Sequence, residues 1–216
     1  RESMERLGRK DAYIRLVFTR GVGTLGLHPF HCPKSTAFII TDSITLYPRE
    51  MYDEGMEIIV AHRRRVPVCC LDPRVKSLNY LNNIMAKVEA IDAGVLEALM
   101  LNMDGEVSEC TGDNIFIVKD GVISTPPVSA GILVGVTRQY IINTIAPSCG
   151  FEVQERPIQL DDVFGADELF LTGTAAEIIG VRRVGDRTIG SGSVGDVTRR
   201  LSMAFSEIVA ENAPED

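Results

Sequence analysis

The stretch Asp72-Pro73-Arg74-Val75-Lys76-Ser77-Leu78-Asn79-Tyr80-Leu81-Asn82-Asn83 decides how the rest of the chain is read. Pro73, with Pro67 before it, keeps residues 66–75 extended. The spacing then predicts a helix over residues 78–93. Leu78, Leu81, Met85 and Val88 form one apolar stripe, Ser77 offers a capping oxygen and Gly94 a stop. Lys76 stands at the junction, at the end of an extended segment and the start of the clearest helix. The chain has five lysines, so each can be weighed. Lys10 lies in a charged opening turn, Lys34 follows a proline in a loop, Lys87 flanks the helix and Lys119 sits in a tight turn. Schiff-base chemistry needs an amine whose stem is held at the end of an element, and Lys76 has that place. On local pattern alone, an exposed lysine beside a helix cap is the plainer reading.

Upstream of this junction, residues 12–19 alternate and are rich in β-branched and aromatic side chains, which predicts a strand. Residues 37–41 and 56–62 read the same way. Downstream, strands are expected at 97–101, 114–118 and 122–124, with Lys119-Asp120-Gly121 turning a hairpin. A helix at 137–145, strands at 152–156 and 168–172, a hairpin near 183–188 and a helix at 197–209 complete the pattern. Strands dominate early and helices interleave without a strict βαβ rhythm. A mixed α/β or α+β fold follows rather than a doubly wound sheet.

Residues 1–10 read as the charged tail of a helix and a strand follows at once, the pattern expected if the start lies inside a domain. No apolar run reaches the roughly 18 residues of a membrane span. The net charge is −8, against nucleic-acid binding, which needs clustered cations. The one basic run, Arg63-Arg64-Arg65, is expected as the solvated end of a strand. Five irregularly spaced cysteines, 32, 69, 70, 110 and 149, fit a reducing, cytoplasmic setting better than a disulfide framework.

Gly21-Val22-Gly23-Thr24-Leu25-Gly26 matches a dinucleotide-binding turn in letters only. That motif needs a helix opening inside the glycines, and Pro29 and Pro33 forbid one here. A glycine-rich loop is expected. His28, His31 and Cys32 lack a second ligand cluster, so no metal is assigned.

Four segments resemble class IV (fold-type IV) pyridoxal-phosphate (PLP) aminotransferases, of the branched-chain amino acid kind. These are Val75 to Asn83, Ser108-Glu109-Cys110-Thr111-Gly112-Asp113-Asn114-Ile115-Phe116, Gly131-Ile132-Leu133-Val134-Gly135-Val136-Thr137-Arg138, and Leu171-Thr172-Gly173-Thr174-Ala175-Ala176-Glu177-Ile178. The resemblance implies a large C-terminal pseudo-barrel PLP-binding domain (76–216), a linker (66–75) and the remainder of a smaller N-terminal α/β domain (1–65). It implies Lys76 as the aldimine lysine that also shuttles the α-proton, and Glu109 as partner of the pyridine nitrogen. Tyr80 would approach the ring's 3-oxygen, while Asn114 and Leu133 shape the site. Val136, Thr137, Gly173 and Thr174 would hold the phosphate. The family also places a phosphate-binding arginine in its N-terminal domain. Cys110 departs from the glycine more usual there, and reads as a tolerated small side chain.

On the substrate side, Tyr13 and Arg15 match a Tyr-Ile-Arg strand bordering the pocket of branched-chain enzymes, and Thr174 with Ala175 matches a turn near the substrate carboxylate. The D-amino acid branch carries an Arg-x-His trap in the loop after that strand. This chain has Leu25-Gly26-Leu27 there, which suits an aliphatic side chain. The implied activity is a ping-pong transamination of leucine, isoleucine and valine with 2-oxoglutarate in a homodimer or larger homo-oligomer. The alternatives are a D-amino acid aminotransferase, an aminodeoxychorismate lyase, or an inactive truncated relative.

Overall fold

The computed structural model describes residues 2–8, 12–44 and 47–212; Arg9 and Lys10 of the opening turn lie outside the described residues. Two compact units are present, Arg1–Leu46 and Tyr47–Asp216. The first contains helix α1 (Glu2–Leu7) and an antiparallel ribbon of β1 (Tyr13–Thr19) and β2 (Thr36–Asp42), in register from Tyr13 opposite Asp42 to Thr19 opposite Thr36. The glycine-rich run connects them as a loop, with only one 3₁₀ turn, Pro29–His31. Chain closure explains its glycines: a Cβ on Gly21 would overlap the Lys34 carbonyl oxygen, and Gly21 has a φ of +85°.

The second unit begins with helix α2 (Arg49–Glu54), strand β3 (Met56–Val60) and helix α3 (Leu81–Asp92). Strands β4 (Glu97–Leu101), β5 (Val107–Cys110), β6 (Asn114–Lys119) and β7 (Val122–Thr125) follow. Next come α4 (Val136–Tyr140), a π turn (Ile141–Ile145), α5 (Ala146–Ser148), β8 (Val153–Glu155) and α6 (Leu160–Phe164). The chain closes with β9 (Glu168–Gly173), β10 (Glu177–Val184), β11 (Arg187–Thr188) and α7 (Asp196–Glu211). The strands form one curled, mixed sheet in the order β5-β4-β3-β10-β9-β6-β7-β8, with β11 on β10. β3 pairs in parallel with both β4 and β10. This places residues 56–60 inside the large sheet, so the compact units part at 46/47, ahead of the 65/66 limit read from sequence.

β6 and β9 lie in the middle of the sheet, and both of their faces are covered. Ile115, Ile117, Leu169 and Leu171 enter one core cluster; Phe116, Val118 and Phe170 enter another, with Ile141, Ile145 and Leu201. The Phe116 and Phe170 rings stack at 4.9 Å. The β6–β7 hairpin turns through Asp120 (φ 50°) and Gly121 (φ 78°), the left-handed pair that a two-residue hairpin requires.

Several elements differ from expectation. Residues 66–75 are not extended: they turn twice, the Cys70 and Leu71 amides donating to the Pro67 carbonyl and the Val75 amide to the Asp72 carbonyl. α3 starts at Leu81 because Ser77 and Tyr80 donate backwards to the carbonyls of Val75 and Leu78, making two tight turns first. Ser77 accepts from the Asn79 amide within those turns and does not cap the helix. The stripe of Leu78, Leu81, Met85 and Val88 is exposed, and the buried face carries Asn83, Ala86 and Ala90. Small residues there let α3 lie close on β4, against Ala98 and Met100. Arg65 is also no solvated strand end: it is buried, with its guanidinium turned inward. The short elements α2, α6 and β5 were not expected.

Candidate active site

The two tight turns before α3 bring Lys76 against Tyr80, Nζ donating to the phenol oxygen at 2.8 Å. One pocket is lined by Lys76, Tyr80, Asn83, Glu109 and Leu133, together with Leu71, Asp72, Pro73, Val75 and Ser77 from the turns ahead of α3. Glu109 reaches it from the end of β5 and is 5% exposed. One carboxylate oxygen, Oε1, lies 2.7 Å from an Arg65 guanidinium nitrogen. The other accepts from the Leu133 amide at 2.9 Å and the Asn114 side-chain amide at 3.1 Å. Burial pushes the Glu109 carboxyl up to about 7, against the pull of Arg65, the Leu133 amide and Lys76. Its neighbour Cys110 is fully buried, and burial followed by the charge of Glu97 pushes the thiol well up. That environment disfavours a thiolate and fits an inert filler.

A second group gathers at the start of β6. Asn114 also donates to the Leu133 carbonyl at 2.9 Å, and its Oδ1 occupies the space a Cβ on Gly135 would need. Asp113 stands the same way against Gly173. Two glycine turns thus close on two consecutive polar residues. Behind Gly135, Val136 and Thr137 open α4, whose first amides have no acceptor within the helix. Val136, Thr137 and Thr174 line one hollow with Tyr140 and Phe205. Amides at a helix start and threonine hydroxyls suit a phosphate. The Thr172 hydroxyl, one residue before Gly173, is buried without a partner.

This donor set fits pyridoxal phosphate chemically: an amine with an adjacent phenol, a buried carboxylate in the same pocket, and amide and hydroxyl donors at glycine turns. The structure brings Lys76, Tyr80, Glu109 and Leu133 to one pocket, with Asn114 bonded to two of them. Val136, Thr137 and Thr174 line a second hollow, Gly173 precedes Thr174, and Ala175 lies in the same turn, half-buried. Tyr13 and Arg15 share one side of β1 in the first unit, where Tyr13 is half-buried and Arg15 exposed.

Sequence reading missed the polar layer beneath. Arg65 donates to the Asn83 side chain at 2.6 Å, and Asn83 donates to the Thr111 carbonyl at 2.8 Å. Glu97, 1% exposed, accepts from the Thr111 amide at 2.9 Å and its own neighbour's amide, Ala98, at 2.7 Å. Lys87 lies 3.6 Å from it. Tyr47 donates to Asp113 at 2.8 Å, and burial plus the Glu97 charge pushes Asp113 up to about 6. The Asn82-Asn83 pair on the helix was the available signal, since amides on a buried face need partners.

Comparison with known proteins gives the family. The family model for amino-transferase class IV matches residues 1–184. A Methanocaldococcus jannaschii protein assigned as a branched-chain-amino-acid aminotransferase is 50% identical over 199 residues, covering 92% of this chain and 68% of its own. The Pseudomonas aeruginosa branched-chain-amino-acid aminotransferase is 38% identical, covering 93% and 65%. The chain therefore spans about two thirds of the length of these relatives. The T.th. branched-chain amino acid aminotransferase solved with pyridoxamine 5'-phosphate superposes with a TM-score of 0.90 at 35% identity, covering 98% of this chain and 69% of that one. Sequence, fold and donor set agree that this chain belongs to the class IV aminotransferases, pyridoxal-phosphate enzymes of fold type IV, and resembles their branched-chain members.

Proposed function

We propose that the enzyme to which this chain belongs transaminates leucine, isoleucine and valine, with 2-oxoglutarate as acceptor and pyridoxal 5'-phosphate held at Lys76. The observation that carries the reading is one pocket containing the Lys76 amine, the Tyr80 hydroxyl 2.8 Å from it and the buried Glu109. When bound, the cofactor supplies an electron sink for the negative charge left when the substrate's α-proton departs. Lys76 would hold the cofactor, and its amine is placed to take the substrate's α-proton and return it. Tyr80 orients the lysine amine. Glu109 would be the carboxylate that faces the ring nitrogen and favours its protonated form. Asn114 and Leu133 fix Glu109 from behind. The Val136 and Thr137 amides with the Gly173–Thr174 turn bind the phosphate. Thr174 and Ala175 would border the substrate; by resemblance, Tyr13 and Arg15 remain proposed substrate-side residues of the first unit, and its apolar Leu25-Gly26-Leu27 loop suits an aliphatic side chain.

The enzyme works as a homodimer or larger homo-oligomer, which the exposed apolar face of α3 supports. Free cysteines throughout the described chain suit the cytosol, and no described helix is long and apolar enough to cross a membrane. In the longer enzyme, residues 76–216 remain our proposed PLP-binding domain and 66–75 the linker into it, with β3 of the preceding 1–65 stretch lying in the same sheet.

The test is the visible spectrum of the protein with added PLP, then borohydride reduction and peptide mapping. The expected result is a visible cofactor band and a reduced pyridoxyl group on Lys76. Label on another lysine, or no band in the full-length enzyme, would overturn the assignment. A substrate panel then separates branched-chain L-amino acids from D-alanine and from aminodeoxychorismate.

A further inference from the structure

We propose that Arg65 is a positioning residue for the reaction: through Glu109 it decides the protonation of the cofactor's ring nitrogen. This rests on the pyridoxal-phosphate reading above and deepens it. The geometry starts from the backbone. The Arg65 amide donates to the Leu101 carbonyl at 2.8 Å, fixing the residue to the end of β4. Asn82 grips the chain on either side, accepting from the Val66 amide and donating to the Arg64 carbonyl, each at 3.0 Å. From this anchored backbone the guanidinium enters the protein, 7% exposed, and meets three fixed partners. Nη1 donates to Asn83 at 2.6 Å, Nε to the Gly131 carbonyl at 3.3 Å, and Nη2 lies 2.7 Å from Glu109 Oε1.

Counting acceptor positions shows what this clamp does. An ionised carboxylate offers about four, two on each oxygen. On Glu109, Oε2 takes the Leu133 amide and the Asn114 side chain, and Oε1 takes Arg65. The remaining position is on Oε1, the oxygen that Arg65 holds. A ring N–H is therefore accepted by the oxygen whose charge and direction Arg65 sets. The cations facing Glu109 are Arg65, from the segment after β3, and Lys76, from the turns before α3. Of these two, Arg65 is the one held 2.7 Å from Glu109, and its guanidinium stays charged throughout. Burying a carboxylate without a partner favours its protonated form. A protonated Glu109 cannot hold the ring nitrogen's proton, and the electron sink weakens.

Arg65→Met should leave an enzyme that still carries PLP on Lys76 but with kcat down by ~10- to 100-fold, the loss expected of one charge-assisted hydrogen bond, and a smaller change in KM. The deciding readout is the ¹⁵N NMR shift of enzyme loaded with ¹⁵N-labelled PLP. We expect a protonated ring nitrogen in the wild type and an unprotonated one in Arg65→Met at neutral pH, with partial return in Arg65→Lys. Should Arg65→Met not fold, Arg65→Gln keeps a hydrogen bond and removes the charge, and carries the same expectation. A ring nitrogen equally protonated in the wild type and in the uncharged variants would overturn the inference while leaving the Lys76 assignment intact. Absence of PLP from the wild-type lysine would instead sink the function on which it rests.

Discussion

At the scale of single residues, Asp113 gives a pH dependence whose sign can be worked out. Burial, then the charge of Glu97, lifts its carboxyl from the ordinary 3.8 to about 6. Between those values the native state binds more protons than the unfolded chain. The stability Asp113 contributes is therefore fully present below pH 3.8 and is lost as pH rises through about 6. Asp113→Asn keeps an acceptor for the Tyr47 hydroxyl and removes the titration. Urea denaturation before PLP is added should show the variant gaining on wild type as pH rises from 4 to 7, by on the order of 2–3 kcal/mol for about two pKa units. Parallel curves would mean that Asp113 titrates as a free carboxyl. Neither Asp113 nor Arg65 was legible in advance. Three consecutive arginines read as solvated, and only the backbone anchoring at Leu101 and Asn82 turns the third one inward. That Lys76 and Glu109 share one pocket was legible because the motifs around them carry them; charge or spacing alone did not.

At the scale of elements, periodicity found the long strands and helices and missed those that other parts of the chain impose. α7 shows how a distant group sets a boundary. Gly195 precedes it and offers no capping side chain, so the cap comes from β9 instead. Glu168 accepts from the Val197 amide at 3.0 Å and the Thr198 amide at 2.8 Å, and from the Thr198 hydroxyl at 2.8 Å. Glycine is required at 195 because a Cβ there would overlap the Glu168 side chain. No local pattern announces a cap 29 residues upstream. Removing it by Glu168→Ala should cost about 1–2 kcal/mol, the upper range for a helix cap, with α7 amides near Thr198 exchanging faster. A loss below about 0.3 kcal/mol would show that water replaces the carboxylate. The π turn at Ile141–Ile145 has a cause as local as the cap is remote. Pro147 lacks the N–H for a regular turn and crowds the carbonyl four residues back, so the ladder loosens there.

At the scale of the molecule, the pattern that identified α3 also says what the second unit leaves uncovered. An apolar stripe at helical spacing is ordinarily the face turned to the core. Here the core side of α3 holds alanines, while Leu81, Ile84, Val88 and Ile91 are 48–62% exposed. Hydrophobic periodicity fixed the element and could not fix which face is inside, because close approach of helix to sheet selects small residues. Single exposed apolar residues are common, but a run of them along a helix marks an interaction surface. The stripe alone falls short of the roughly 800 Å² per partner that a stable interface needs, so α3 would contribute part of a homo-oligomeric contact. Replacing Ile84 and Val88 by glutamate puts two charges on that face and leaves the buried Asn83, Ala86 and Ala90 untouched. The double variant should keep the wild-type circular dichroism spectrum and fall to monomer mass in light scattering at micromolar concentration. A wild type that is itself monomeric, or a charged variant that stays assembled, would place the contact elsewhere and leave the α3 stripe without that role.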